Sequence, residues 1–306
     1  MNKYIMQGAK LLIAICFIWV TAYAFDFRYI LNQASEILSN FFLLSIMTLS
    51  YFFAFLIKAK VWQLYVGKGI GFKLYFDGVL YSLVLNHLLP VKAGDLVRIG
   101  YLAQENKVGW AASIQSVVVM RLIDLFLLGA IALGGALYLG IKMSLLFVFS
   151  VLGIVGIIII LVLIKKYKWR EMIFSYLKTI KQILWSGTGF MIICLILLSW
   201  CLEAIVLFSV ASQFGISLSY LSSLWVNSFT IAGQVFHFSP GGIGTYESFM
   251  SFALTVFAVP LKESYTIAIV THGFKFLFSY VMGIYLLLFA PISWLKLINW
   301  LKRKEE

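Results

Sequence analysis

Two apolar stretches of this chain are interrupted in the same way, and that feature leaves few folds open to it. The first reads Asn86-His87-Leu88-Leu89-Pro90-Val91-Lys92-Ala93-Gly94-Asp95-Leu96-Val97-Arg98 and the second Phe236-His237-Phe238-Ser239-Pro240-Gly241-Gly242-Ile243-Gly244-Thr245-Tyr246-Glu247. Both contain His-x-x-Pro-x-x-x-Gly. Three His and four Pro occur in 306 residues, so two of each in one register are not coincidence. In each copy an apolar run of helical length leads in, Pro and Gly break it, and a carboxylate-bearing segment leads out. That is the pattern of a helix broken inside a membrane. Matched interruptions in the two halves of a duplicated chain point to a transporter's substrate site.

Composition agrees. With 62% hydrophobic and 12% charged residues, against roughly a quarter charged in soluble domains, this is an integral membrane protein. The net charge of +12 does not signal nucleic acid, because Lys and Arg collect in short segments between apolar runs. They mark cytoplasmic loops, with anionic lipid headgroups as neighbours.

Lys3 and Lys10 precede an apolar run, Leu11 to Phe25. It mimics a signal peptide at Ala22-Tyr23-Ala24, but it ends in bulky Phe25 and fits the span count, so it is read as the first span. A second run covers Phe41 to Ile57, followed by a linker carrying Lys58, Lys60, Lys68 and Lys73. Tyr75 to Leu89 offers only about 15 residues before Pro90, short of the roughly 20 that cross a bilayer. It enters from the cytoplasm, stops near mid-membrane at Pro90 to Gly94, and returns through Asp95 to Lys107. Irregular backbone at that depth is tolerated only where protein or a water-filled cavity satisfies it. A polar cavity is therefore implied.

Ala111 to Gly140 and Leu145 to Ile164 are full spans, followed by a loop with Lys165, Lys166, Lys168, Arg170, Lys178 and Lys181. Gly189 to Ala211 crosses outward, Leu221 to Phe238 enters from outside and breaks at Pro240, Thr245 to Val259 returns, and Ser264 to Ala290 crosses last. The expected architecture is an all-α integral membrane protein, one polytopic domain over residues 1–306. It has six full transmembrane helices and two re-entrant broken-helix hairpins, 75–107 and 221–259, in inverted-repeat arrangement. Every basic cluster and both termini then face the cytoplasm, in the plasma (inner) membrane of a prokaryote.

Pro240 to Thr245 puts Gly241, Gly242 and Gly244 at a break whose following helix starts near Thr245. Either exposed backbone N–H groups bind an anion there, or the glycines let two helices pack closely. At the other break Asp95 caps its helix and pairs with Arg98 three residues on. Alternatively Arg98 offers its planar fork to a phosphate, with Lys92 in the turn. Arg121 and Asp124 lie within the third span, at a cost of about 3 kcal/mol each to insert, and form a functional or a structural pair.

Glu203 and Lys275 are lone charges on apolar spans that pair across helices, and Glu247 neutralises a basic residue of the first break. His87 and His237, each three residues before the break proline, are hydrogen-bonded core residues or proton carriers. His272 is read as core. Pro90, Gly94 and Pro240 break the helices. No metal cluster, nucleotide-binding loop or Ser/His/Asp arrangement is visible. No cofactor is expected, and the chain is not expected to be a self-contained enzyme.

Three motifs, in order, resemble the lysylphosphatidylglycerol synthase/flippase transmembrane domain family. They are Leu89 to Arg98, similar to Pro-x-x-x-Gly-Glu/Asp-x-x-Arg; Arg121-Leu122-Ile123-Asp124; and Ser239 to Glu247, similar to Pro-Gly-Gly-x-Gly-x-x-Glu. Asp95 stands where the family more often has Glu, which shortens the carboxylate's reach. The resemblance implies a protein that moves a lipid with a polar headgroup between leaflets. Some members are fused to an aminoacyltransferase domain that makes lysyl-phosphatidylglycerol, others stand alone, and some are associated with polyprenyl-linked sugars. No aminoacyltransferase domain is seen in this chain, so that activity is not expected here.

The expected function is binding and translocation of a membrane lipid with an anionic or glycosylated headgroup. Its phosphate would be held by Lys92, Arg98, Arg121 and the amides of Gly241, Gly242, Gly244 and Thr245. The alternative is an ion-coupled carrier of a small soluble anion, with His87, His237, Asp95 and Glu247 handling protons. A third reading is a membrane subunit for a separate synthase or glycosyltransferase.

Overall fold

The computed structural model describes residues 27–67, 69–89, 94–104, 108–141, 176, 178–183, 185–234 and 239–293. No strand occurs among them. The expected spans 11–25 and 145–164, the loop positions 165–170, and Pro90, Lys92 and His237 lie outside the described residues. Of Pro240 the backbone alone is described.

Helix α1 is Phe27–Ser39. Asn40 then starts α2, Phe41–Val66: its side chain accepts the Leu43 N–H at 3.1 Å, filling a donor that the first turn leaves free. Gly67 ends α2 in the left-handed region, its N–H on the Gln63 carbonyl. The helix runs on past Ile57, so Lys58 and Lys60 belong to it and not to a linker. Two lysines interrupt the hydropathy there, but Val61 and Trp62 are buried and carry the inward face onward.

Next come α3, Phe72–Leu88, and α4, Gly94–Ala103, the two arms of the first hairpin, and then α5, Trp110–Tyr138. Ser186 caps α6, Gly187–Gln213, and Ser219 caps α7, Tyr220–Gly233. A 3-10 turn, Pro240–Gly242, leads to α8, Thr245–Thr255, and α9, Leu261–Phe289, closes the described chain. Among the described residues α2, α5, α6 and α9 are long and apolar enough to cross a membrane. This is a multi-pass helical membrane protein.

The order long helix, broken hairpin, long helix occurs twice, with lengths of 26, 17, 10 and 29 residues and then 27, 14, 11 and 29. Packing repeats with it. Helix α2 runs along α6 where the halves join, and several other contacts come in matched pairs: α2 on α3 as α6 on α7, α4 on α5 as α8 on α9, α3 on α9 as α7 on α5. Each hairpin thus leans on the closing span of the opposite half. Close approach needs small residues. Trp225 of α7 lies against Gly135 of α5, where a Cβ would come 2.7 Å from its Cδ1, and donates its indole N–H to the Ala132 carbonyl at 2.8 Å.

Candidate functional site

The first break is set by Gly94. Its N–H donates to Asn86 Oδ1 at 3.0 Å, and a Cβ there would lie 2.3 Å from the Ser82 carbonyl oxygen, so any other residue would push α4 away from α3. This contact seats Asp95 beside Ser82, whose hydroxyl donates to Oδ1 at 2.8 Å. It also presents Asp95 to α5, where Arg121 grips it with Nε on Oδ2 at 2.9 Å and Nη2 on Oδ1 at 3.0 Å. Such a two-pronged guanidinium–carboxylate contact fixes orientation as well as charge. The expected Asp95–Arg98 pair is therefore replaced by Asp95–Arg121, because Asp95 points across to α5 rather than along its own helix.

The charges continue across the halves. Arg121 Nη1 is 3.8 Å from Asp124 Oδ2, so the expected pair on the third span is present. Asp124 Oδ1 accepts the Trp200 indole N–H at 2.9 Å. Above the Trp200 ring, 4.0 Å from its centroid, lies the Lys58 ammonium, which is paired with Glu203. Glu203 thus meets Lys58 and not Lys275 as the sequence suggests. Lys275 instead donates to Asn227 Oδ1 at 3.1 Å and sits between the rings of Tyr246 and Tyr51.

Part of this network, from Arg121 through Asp124 and Trp200 to Lys58 and Glu203, borders a cavity of about 200 Å³ that Asp95 and Lys275 do not line. Lys58, Arg98 and Arg121 face it with Asp124 and Glu203, and Asn86 and His87 close it at the end of α3. Arg98 is 8% exposed and lies over Trp62, its Cζ 3.9 Å from the ring centroid, with no hydrogen-bond partner for its Nε among the described residues. Burying a guanidinium without full hydrogen bonding is costly, which sets Arg98 apart from Arg121, whose guanidinium is held by Asp95. His87 Nδ1 donates to the Leu83 carbonyl at 2.9 Å.

The second break is closed on itself. Gly241, Gly242 and Gly244 all have positive φ, and the Gly242 N–H bonds the Ser239 carbonyl at 3.1 Å. Thr245 begins α8 as expected, but Glu247 folds back so that Oε2 accepts the Gly244 N–H at 2.7 Å while Oε1 meets His272 Nδ1 at 2.7 Å. The protein's own carboxylate thus sits at the helix start where an outside anion was expected. Gly241, Gly242, Gly244 and Thr245 do not line the cavity. Nor does Glu247 neutralise a base of the first break: its partner is His272 of its own half. His272, stacked 4.1 Å from Tyr246, is the bonded core residue expected.

The breaks meet. At Gly241 a Cβ would lie 2.2 Å from Phe276 Cζ and 3.0 Å from the His87 carbonyl oxygen, and Phe276 is 4.8 Å from both the His87 and the His272 rings. Sequence reading missed Lys58, discounted as a loop cation, and Asp77. Asp77 is 1% exposed on α3 and holds Lys73 at 2.6 Å and Tyr285 Oη at 3.3 Å. A lone carboxylate four residues after Lys73 in an apolar run was the available signal.

Membrane-length helices, two broken hairpins and a charged cavity between the halves define a polytopic membrane protein with an interior polar site. The family model for the lysylphosphatidylglycerol synthase TM region matches residues 8–283, and the chain belongs to this family. No curated protein and no solved structure matches it.

Proposed function

We propose that this is a flippase-like protein that takes the phosphate-bearing headgroup of a lipid into the α2–α6 cavity and passes it between leaflets. The observation that carries the reading is Arg98: a buried guanidinium with an unused donor, facing a charged cavity among membrane-crossing helices. Arg121 and Lys58 add positive charge, while Asp124 and Glu203 suit a headgroup that also carries an amine or sugar hydroxyls. The chain would have six spans and two hairpins entering from opposite faces, with both termini cytoplasmic. Rocking one half against the other would expose the cavity alternately. Acyl or prenyl tails stay in the bilayer, and a separate synthase or glycosyltransferase makes the lipid. The chain itself would carry out no covalent chemistry.

Native mass spectrometry of gently purified protein tests this. Wild type is expected to retain a phosphate-bearing lipid. Arg98→Ala should bind it about 10- to 150-fold more weakly, the worth of a charged hydrogen bond of about 1.5–3 kcal/mol, with helicity unchanged. His272→Gln, in the closed half, should retain it. Equal retention by Arg98→Ala, or no selective lipid on wild type, overturns the reading, and uptake of small anions into liposomes becomes the test to run.

A further inference from the structure

Lys275 stands apart from the cavity, which it does not line. It lies 3% exposed halfway along the membrane-length helix α9 and forms no ion pair among the described residues. One of its three N–H groups goes to Asn227 Oδ1 at 3.1 Å, which leaves two. A lone ammonium in such a place is expensive to bury.

Its surroundings add donors and no negative charge. Asn227 Nδ2, on the amide that Lys275 holds, has no partner among the described residues, and neither has Tyr246 Oη. The Lys275 Nζ is 5.2 Å from the Tyr246 ring centroid. Helical side chains slant toward the N-terminus, so Lys275 reaches back over the turn that carries Thr271, four residues before it on the same face. Tyr246 marks the same level, because its ring stacks 4.1 Å from His272. Thr271 Oγ1 is buried there, again without a partner among the described residues. Glu247, next to Tyr246, is taken by the Gly244 N–H and by His272. Helices α7, α8 and α9 thus bring an amide nitrogen, two hydroxyls and an ammonium to one place, and Tyr51 of α2 covers it with a ring 5.7 Å from Nζ. Ammonium and amide nitrogens accept no hydrogen bonds, so donors outnumber acceptors and the four groups cannot satisfy one another.

We propose that Lys275, Asn227, Tyr246 and Thr271 form a binding site for one small monovalent anion of the halide class. One halide accepts from all four groups and balances the ammonium, so the interior is left neutral. A divalent oxyanion would leave one charge over. A lipid headgroup is not the ligand here, because none of the four residues lines the cavity and Lys275 is buried from the bilayer. The anion is a fixed counter-ion that ties both arms of the second hairpin to α9. The site stands whether or not the headgroup reading does.

The test is thermal unfolding of the full chain in detergent, with sodium gluconate exchanged stepwise for sodium chloride at constant ionic strength. A ligand that binds only the folded chain raises the unfolding temperature with the logarithm of its concentration once the site begins to fill. Wild type should show that rise with chloride and with bromide. Lys275→Met has no charge to balance and should give a flat line, whatever its own starting temperature. Tyr246→Phe and Thr271→Val keep the lysine and each remove one O–H donor, so each should need about tenfold more chloride for the same rise. Arg98→Ala, which removes a cavity cation, should rise as wild type does. No dependence in wild type means an uncharged or water-bound Lys275 and overturns the site, as does an undiminished rise in Lys275→Met. Unchanged curves in both hydroxyl variants overturn it even where Lys275→Met does not fold. A rise lost in Arg98→Ala but kept in Lys275→Met places the chloride in the cavity and overturns it too.

Discussion

Arg121 and His272 are each the twelfth residue of their helices, α5 and α9, and each holds a carboxylate at the start of the facing short helix, Asp95 or Glu247. Asp124 and Lys275 are likewise both fifteenth. One framework is thus finished in two ways. In the first half the guanidinium–carboxylate contact borders a cavity and leaves Arg98 with an unused donor. In the second the carboxylate turns back to cap its own helix, and Tyr246, His272 and Phe276 fill the space with rings. The difference separates position from use. A base facing a carboxylate at a helix start braces either break, and what surrounds the pair decides whether a ligand can enter.

Substitutions can break that comparison or sharpen it. The largest effect is expected where the halves share a charge. Glu203→Gln strands the Lys58 ammonium, at a cost of about 3 kcal/mol, visible as a lower unfolding temperature in fixed detergent. Lys58→Met with Glu203→Met should recover most of that loss, because no unpaired charge remains. Equal losses in the single and double variants would mean that packing, not charge, joins the halves.

A smaller effect is expected at the paired glycines. Gly94→Ala meets backbone, which cannot yield, and should cost about 1–3 kcal/mol of stability together with lipid retention, since it displaces Asp95. Gly241→Ala meets the far edge of the Phe276 ring at a backbone φ of 62°. It should cost about 1–2 kcal/mol and leave lipid retention intact. Should Gly241→Ala abolish retention as well, the closed half belongs to the site after all. The smallest effect is expected for Ser82→Ala, which removes one bond to Asp95 worth about 1 kcal/mol and should leave the Arg121 contact in place. Retention measured beside a thermal melt checks it.

Much of this was legible in the sequence. Paired His-x-x-Pro-x-x-x-Gly marked where α3 gives way to α4 and α7 to α8, and the start of α8 at Thr245 followed from its glycines. The Arg121–Asp124 spacing gave a real contact. Partners across helices were not legible, because spacing along one helix says nothing of which neighbour a side chain faces. Asp95 was assigned to Arg98 and Glu203 to Lys275 for want of that geometry. Lys58 was lost because a hydropathy run stops at a charge even where the helix does not. The anion reading of Gly241 to Thr245 failed for a local reason. Glu247, third into α8, reaches the same amide that a ligand would.

The Lys58 ammonium on the face of Trp200, with Asp124 on its indole N–H, has an optical consequence. An excited indole shifts charge across its rings, so its emission energy follows the local field. Here a cation and an anion set that field at fixed positions. An anion that draws Lys58 off the ring would change it, so Trp200 would add an occupancy-dependent colour shift to the emission of the chain's nine tryptophans.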